Sequence, residues 1–278
     1  ETQNYAITES HEPGSTFKLV DLIAVLDDKI ADTSTVYDSK GGRIEYYGRS
    51  VKDSNGKGYG KISLARGFEL SSNTVLVQSV YDSYKNNPKQ FVDRINSYGL
   101  NKPLGLPIKG EGKPVIPQPG TNRWSGVALP WMAFGYGLSV TPLQTLTLYN
   151  AVANDGVMVK PIFVSEIKEW NKTIKKYNTE VINPKICSQE TLDKVQAVLE
   201  NVVKRGTGSK LYSKDFSMAG KTGTAQVNYK DKSKLYYASS FVGYFPADEP
   251  KYSCIIVVHK PNVAAGYYGA DVAGPVFT

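Results

Sequence analysis

The 278-residue sequence is 41% hydrophobic and 21% charged, with a net charge of +7 at neutral pH. That composition excludes disordered and fibrous classes and supports a sizeable core. The basic excess is spread along the chain with no Lys/Arg block, which points to a solvated basic surface rather than a nucleic-acid partner. His11 and His259 are the only histidines, and Cys187 and Cys254 the only cysteines. These leave no metal-ligand spacing, no disulfide framework and little room for a Ser-His-Asp relay. No apolar run reaches the roughly 18 residues a spanning helix needs.

Along the chain, "STFKLVDLIAVLDDKI" (15–30) is apolar at almost every helical position and predicts a buried helix, with Gly14 and Ser15 supplying its start. Gly-rich polar sequence follows, "SKGGR" and "KDSNGKGYG", predicting loops with short strands between. Further helices are expected around "SLARGFEL", after the polar "SSN" of 71–73, and over "NPKQFVDRINSYGL". Five prolines between 101 and 126 predict a long irregular stretch. "TPLQTLTLYNAVANDG" (141–156) and "SQETLDKVQAVLENVVKRG" (188–206) are helices with a hydroxyl cap at the start and glycine at the end. "SMAGKTGTAQVNY", "YYASSFVGYF" and "KYSCIIVVHK" read as adjacent antiparallel strands. Helices first and strands last predict an α+β fold, mainly helical over 14–159 and sheet-rich over 160–278.

Three weak signals carry the chemistry. Ser15 and Lys18 share a helix face, so an amine stands where a hydroxyl needs a base. Ser71 and Asn73 sit in a polar break and can reach one cleft together. "KTGTA" (221–225) offers Lys221, Thr222 and Thr224 to a carboxylate, and Gly223 predicts a close approach of ligand to strand. Such a strand edge can pair with an extended peptide. Each of these alone is more often a cap, a turn or an exposed loop. A phosphate loop at "AGKT" fails because it requires glycine where Asp215 stands.

The order S-x-x-K, S-x-N, K-T-G is that of penicillin-binding proteins and class A β-lactamases. "HEPGSTFK", "GKGYGKISLARGFELSSNTV", "GYGLSVTPLQ", "AGKTGTAQ", "FVGYFPADEP" and "YYGADVAGPVF" follow in family order. Over essentially its whole length the chain resembles the transpeptidase domain of a class B penicillin-binding protein, most of all the cell-division members.

The resemblance implies an antiparallel sheet flanked by helices, with an all-helical subdomain. It also implies a membrane anchor and pedestal upstream, this chain being incomplete at both ends, and a location on the outer face of the bacterial cytoplasmic membrane with division or elongation partners. By the same resemblance Ser15 is the nucleophile and Lys18 its base. Ser71 relays a proton, assisted by Asn73 and Lys221, and Thr222, Gly223 and Thr224 bind the substrate carboxylate. The expected substrate is a peptidoglycan stem peptide ending in D-Ala-D-Ala, the expected inhibitors are β-lactams, and no cofactor is implied. A D,D-carboxypeptidase or a penicillin sensor is the alternative. A β-lactamase is disfavoured because Glu111 is the only carboxylate between 101 and 130.

Overall fold

The computed structural model describes residues 3–229, 231, 233–264 and 266–278. A short helix α1 (Tyr5–Thr8) leads to a 3-10 turn over Gly14–Phe17, which runs into α2 (Lys18–Asp27). The apolar segment therefore forms two kinds of helix, and its regular part stops at Asp27 rather than 30. Ser15 caps neither of them. Pro13 leads into the turn, and Gly14 takes the left-handed φ of +57° that the bend demands.

Two small antiparallel pairs follow: β1 (Val36–Asp38) pairs with β4 (Lys61–Ser63), and between them in the chain β2 (Arg43–Tyr46) forms a hairpin with β3 (Arg49–Lys52). Next come α3 (Leu64–Glu69), α4 (Asn73–Tyr84) and α5 (Pro88–Ser97), the last with proline in its first turn. Residues 101–126 contain no helix, as their prolines predict. A short α6 (Ala128–Met132) precedes α7 (Pro142–Ala153). There the side chains of Thr141 and Gln144 each bond the other's backbone N–H in a capping box. Beyond it lie β5 (Met158–Val159), the exposed hairpin β6 (Glu166–Glu169) with β7 (Lys172–Lys176), and β8 (Val181–Asn183) paired to β5. The longest helix, α8 (Gln189–Arg205), starts on Ser188 and ends at Gly206.

The last third is the sheet its sequence announces. β9 (Ala219–Val227), β10 (Tyr236–Phe245) and β11 (Tyr252–His259) form antiparallel pairs in the order β11-β10-β9, which leaves β9 at the edge. Two short helices, α9 (Gly269–Val272) and α10 (Gly274–Phe277), close the described chain. The main core lies between sheet and helices. α2 is its centre: Leu19 through Val25 are fully shielded from solvent. α4, α5 and α8 pack around α2, and α8 also packs on β9. Residues from three distant parts of the sequence are thereby carried to one edge of the sheet. Cys187 and Cys254 are both free.

Candidate active site

The 3-10 turn bearing Ser15 is pinned from three sides. Gly14 N–H donates to the carbonyl of Gly135 at 3.1 Å, Thr16 Oγ1 to Pro13 at 2.9 Å, and the buried Tyr149 hydroxyl to the Thr16 carbonyl at 2.8 Å. A Cβ on Gly135 would stand 2.0 Å from the Gly14 oxygen, so that contact requires glycine. Ser15 itself remains half-buried, facing the cleft.

One turn on, Lys18 is buried completely. Its Nζ lies 3.0 Å from Ser15 Oγ, 3.2 Å from Ser71 Oγ, 2.8 Å from the Ser71 carbonyl and 2.6 Å from Asn73 Oδ1. Burial is the largest influence on this amine and brings its pKa down from 10.5 to about 7; Asp53 and Asp21 oppose the fall. Loss of water around the amine, more than any helix dipole, makes it an available base near neutrality.

Ser71 takes a left-handed φ of +57°, costly for a serine and held by its surroundings. Ser72, not Ser71, caps α4, accepting from Val75 N–H at 3.2 Å. Asn73 is the first helical residue, and its amide nitrogen donates to the Lys52 carbonyl at 2.8 Å. Beside it, buried Asp53 accepts from Ser72 Oγ at 3.0 Å, Thr74 N–H at 3.0 Å and Thr74 Oγ1 at 2.9 Å. The hairpin β2–β3 and its exit thus set the position of the Ser71–Asn73 turn.

The third segment arrives on β9. Thr222 and Thr224 line the cleft, while Lys221, the residue before Thr222, is fully buried. Its Nζ donates to the Thr222 carbonyl at 3.1 Å and stands 5.6 Å from the centre of the Phe68 ring. Burial, then the nearby Lys18, lowers its pKa. Gly223 differs from expectation. A Cβ there would meet Ser240 Oγ at 2.3 Å and Thr16 Cγ2 at 2.9 Å, so the missing side chain lets the serine turn dock on the sheet instead of opening space for a ligand.

Of these residues Ser15, Ser71, Asn73, Thr222 and Thr224 border a cleft of about 340 Å³, with the buried Lys18 and Lys221 behind its lining. Its other wall holds residues to which the sequence assigned no role, some of them within the signature "YYGADVAGPVF". Thr207 Oγ1 sits 2.6 Å from Thr222 Oγ1, Lys210 pairs with Asp271 at 2.6 Å, and Gly269 N–H donates to Thr224 Oγ1 at 3.1 Å. Ser54 and Tyr268 complete it. Thr207 and Ser54 lie in "RGTGS" and "KDSNG", segments with no chemical signature; only the fold brings them to the cleft. Glu111 is spent elsewhere, its carboxylate accepting the backbone N–H groups of Leu104, Gly105 and Leu106. Among the described residues no group of His, Cys, Asp and Glu is arranged to hold a metal ion.

The family model for the penicillin-binding-protein transpeptidase domain matches residues 1–278. The chain belongs to that family. It is 28% identical over 281 residues to stage V sporulation protein D of Bacillus subtilis, covering 99% of this chain and 42% of that protein. It therefore spans less than half the length of that relative. The solved D,D-transpeptidase domain of a peptidoglycan glycosyltransferase from Eggerthella lenta superposes with a TM-score of 0.86 at 28% identity, over 99% of this chain and 66% of the other. Penicillin-binding protein 3 of Mycobacterium tuberculosis, solved in complex with aztreonam, superposes at 0.84 with 28% identity, over all of this chain and 62% of its own. The penicillin-binding-protein transpeptidase domain is thus both the family and the fold.

Proposed function

We propose that this domain is a serine D,D-transpeptidase that cross-links peptidoglycan stem peptides, and that β-lactams acylate it. The observation that carries the reading is the Lys18 amine, 3.0 Å from Ser15 Oγ and 3.2 Å from Ser71 Oγ, with a pKa near 7. A donor strand pairs along the free edge of β9, its terminal carboxylate received by Thr222 and Thr224. Lys18 takes the proton of Ser15 as Oγ attacks the carbonyl between the two D-alanines. The backbone N–H groups of Ser15 and Thr224 receive the oxyanion, each such donor being worth about 3 kcal/mol in the transition state. Lys18 returns the proton through Ser71 Oγ to the departing D-alanine, with Asn73 and Lys221 holding the relay in place. An amine from a second stem peptide then attacks the ester and frees Ser15. No step requires a cofactor.

The similarity to the aztreonam-bound protein supports the β-lactam part, since such a drug presents a strained amide where the donor presents its D-Ala-D-Ala bond. A location on the extracytoplasmic face of the bacterial cytoplasmic membrane, with membrane-bound division or elongation partners, fits a peptidoglycan substrate. A D,D-carboxypeptidase differs only in using water as acceptor. The test is release of D-alanine from a peptide ending in D-Ala-D-Ala, with and without an acceptor amine. Release that stops in Ser15→Ala, with cross-linked dimer in the wild type, supports transpeptidation; hydrolysed monomer alone supports the carboxypeptidase. Release that persists in Ser15→Ala refutes both.

A further inference from the structure

The edge of β9 is not open along its whole length. Gln226 N–H donates to the Tyr136 hydroxyl at 2.9 Å, so this amide points away from β10, toward the open side of the sheet. The register agrees. Tyr237 lies opposite Gln226, and its carbonyl accepts from Lys260 N–H at 2.9 Å on the side facing β11. Backbone groups of alternate residues face the same way, so Thr222 and Thr224 open outward together with Gln226.

Tyr136 is held in this place from several directions. It follows Gly135, whose missing Cβ lets the chain press against Gly14, so the contact that seats the serine turn also delivers the phenol to β9. Its ring packs against Phe134 at 5.0 Å and edge-on to Tyr229 at 5.7 Å between centroids. The Tyr229 hydroxyl in turn donates to Glu12 at 3.3 Å, and the same carboxylate oxygen accepts Gly137 N–H at 2.8 Å.

We propose that Tyr136 ends the donor-binding edge at Thr224 and denies the stem peptide a bond from Gln226 N–H. The inference rests on the acyl-transfer reading for where the donor lies. With its carboxylate at Thr222 and Thr224, the donor's earlier residues run toward Gln226, antiparallel to β9. In such a pair opposite residues exchange both N–H···O bonds, and bonded pairs recur at every second residue. The attacked carbonyl belongs to the penultimate residue, opposite Thr224, so the residue two places before it falls opposite Gln226. Its carbonyl oxygen would need the position that the Tyr136 hydroxyl holds. Tyr136 is thus a specificity-determining residue: the site reads the D-Ala-D-Ala end and is indifferent to the backbone carbonyl upstream.

The experiment compares Nα-acetyl-lysyl-D-Ala-D-Ala with its analogue lacking the lysine acetamido group, which bears the carbonyl in question. Values of kcat/KM for D-alanine release are measured for both donors in the wild type and in Tyr136→Phe, which keeps the ring. The wild type is expected to treat the two alike, and the variant to favour the acetylated donor by roughly 3- to 10-fold, the scale of one net hydrogen bond. A merely structural role lowers both rates together. Equal rates in the folded variant, or a preference already present in the wild type, overturn the proposal. Should Tyr136→Phe not fold, amide NMR of the wild type during titration with the acetylated donor decides. A Thr224 amide that shifts beside an unmoved Gln226 amide is expected, and a Gln226 amide that moves with it overturns the proposal. If neither donor releases D-alanine, the acyl-transfer reading has failed, and the same titration still reports on the edge; a peptide that moves neither amide overturns both.

Discussion

Lys18 Nζ and Asn73 Oδ1 meet at 2.6 Å, although 55 positions separate the two residues. The amide of Asn73 is fixed at both ends, because its nitrogen donates to the Lys52 carbonyl. Lys18 must then direct one N–H to Asn73. As a free amine its second N–H goes to the Ser71 carbonyl at 2.8 Å, which leaves the lone pair facing the two serine hydroxyls. An uncharged acceptor at position 73 orients the base without adding to its proton affinity.

Asn73→Asp puts a charge in that place. A carboxylate at this distance stabilises the ammonium form, so the pKa of Lys18 rises and the base is occupied at neutral pH. A rise of 1 to 2 units slows acylation at pH 7 by roughly 5- to 50-fold. The loss should shrink as the pH is raised, as followed by fluorescent-penicillin labelling rates. A deficit independent of pH would mean the variant had lost geometry rather than protonation state.

The wild-type profile has its own signature. With Lys18 at about 7, its free-base fraction is half at that pH and falls about tenfold for each unit below. Acylation should follow this limb while the fold persists to lower pH, which circular dichroism on the same samples would verify. A limb near the ordinary lysine value of 10.5 would contradict the burial argument.

Asp53 touches none of the reacting groups but receives three donors from the turn that presents Ser71 and Asn73. Asp53→Ala leaves buried hydroxyls and a helix N-terminus without an acceptor, a loss of about 2–4 kcal/mol in denaturant melts. Acylation should fall further than stability, since the serine and the amide lose their register together. A variant with full labelling rate would show that the turn holds itself.

Gly223→Ala tests how the serine turn seats on the sheet. The new methyl would overlap Ser240 Oγ and Thr16 Cγ2, forcing the turn away from β9. The expected cost is about 1–3 kcal/mol of stability with a larger proportional loss of labelling. Unchanged labelling would place the adaptability in Ser240 alone.

Much of this was legible in the sequence because local rules and the fold agree. Thr141 with Pro142, and Ser188 with Gly206, mark their helices where the structure has them, and the three terminal strands stand in the predicted order. The segments bearing Ser15, Ser71 and Lys221 were visible as motifs, and the fold brings them to one cleft. What local pattern did not reveal depends on distant partners. The 3-10 geometry at Ser15 is imposed by Gly135 and Tyr149, neither near it in the chain. That Ser72 caps α4 while Ser71 turns into the cleft depends on Asp53, which holds Ser72 Oγ from 19 positions away. Gly223 suggested room for a ligand because sequence cannot say which atoms lie opposite a glycine.

The most direct test of the central claim is the mass of the intact protein after incubation with penicillin, followed by tryptic mapping. An adduct of one drug molecule, confined to peptide 1–18 and located on Ser15, is the result expected. An adduct on any other residue, or none at all on the folded protein, would contradict it.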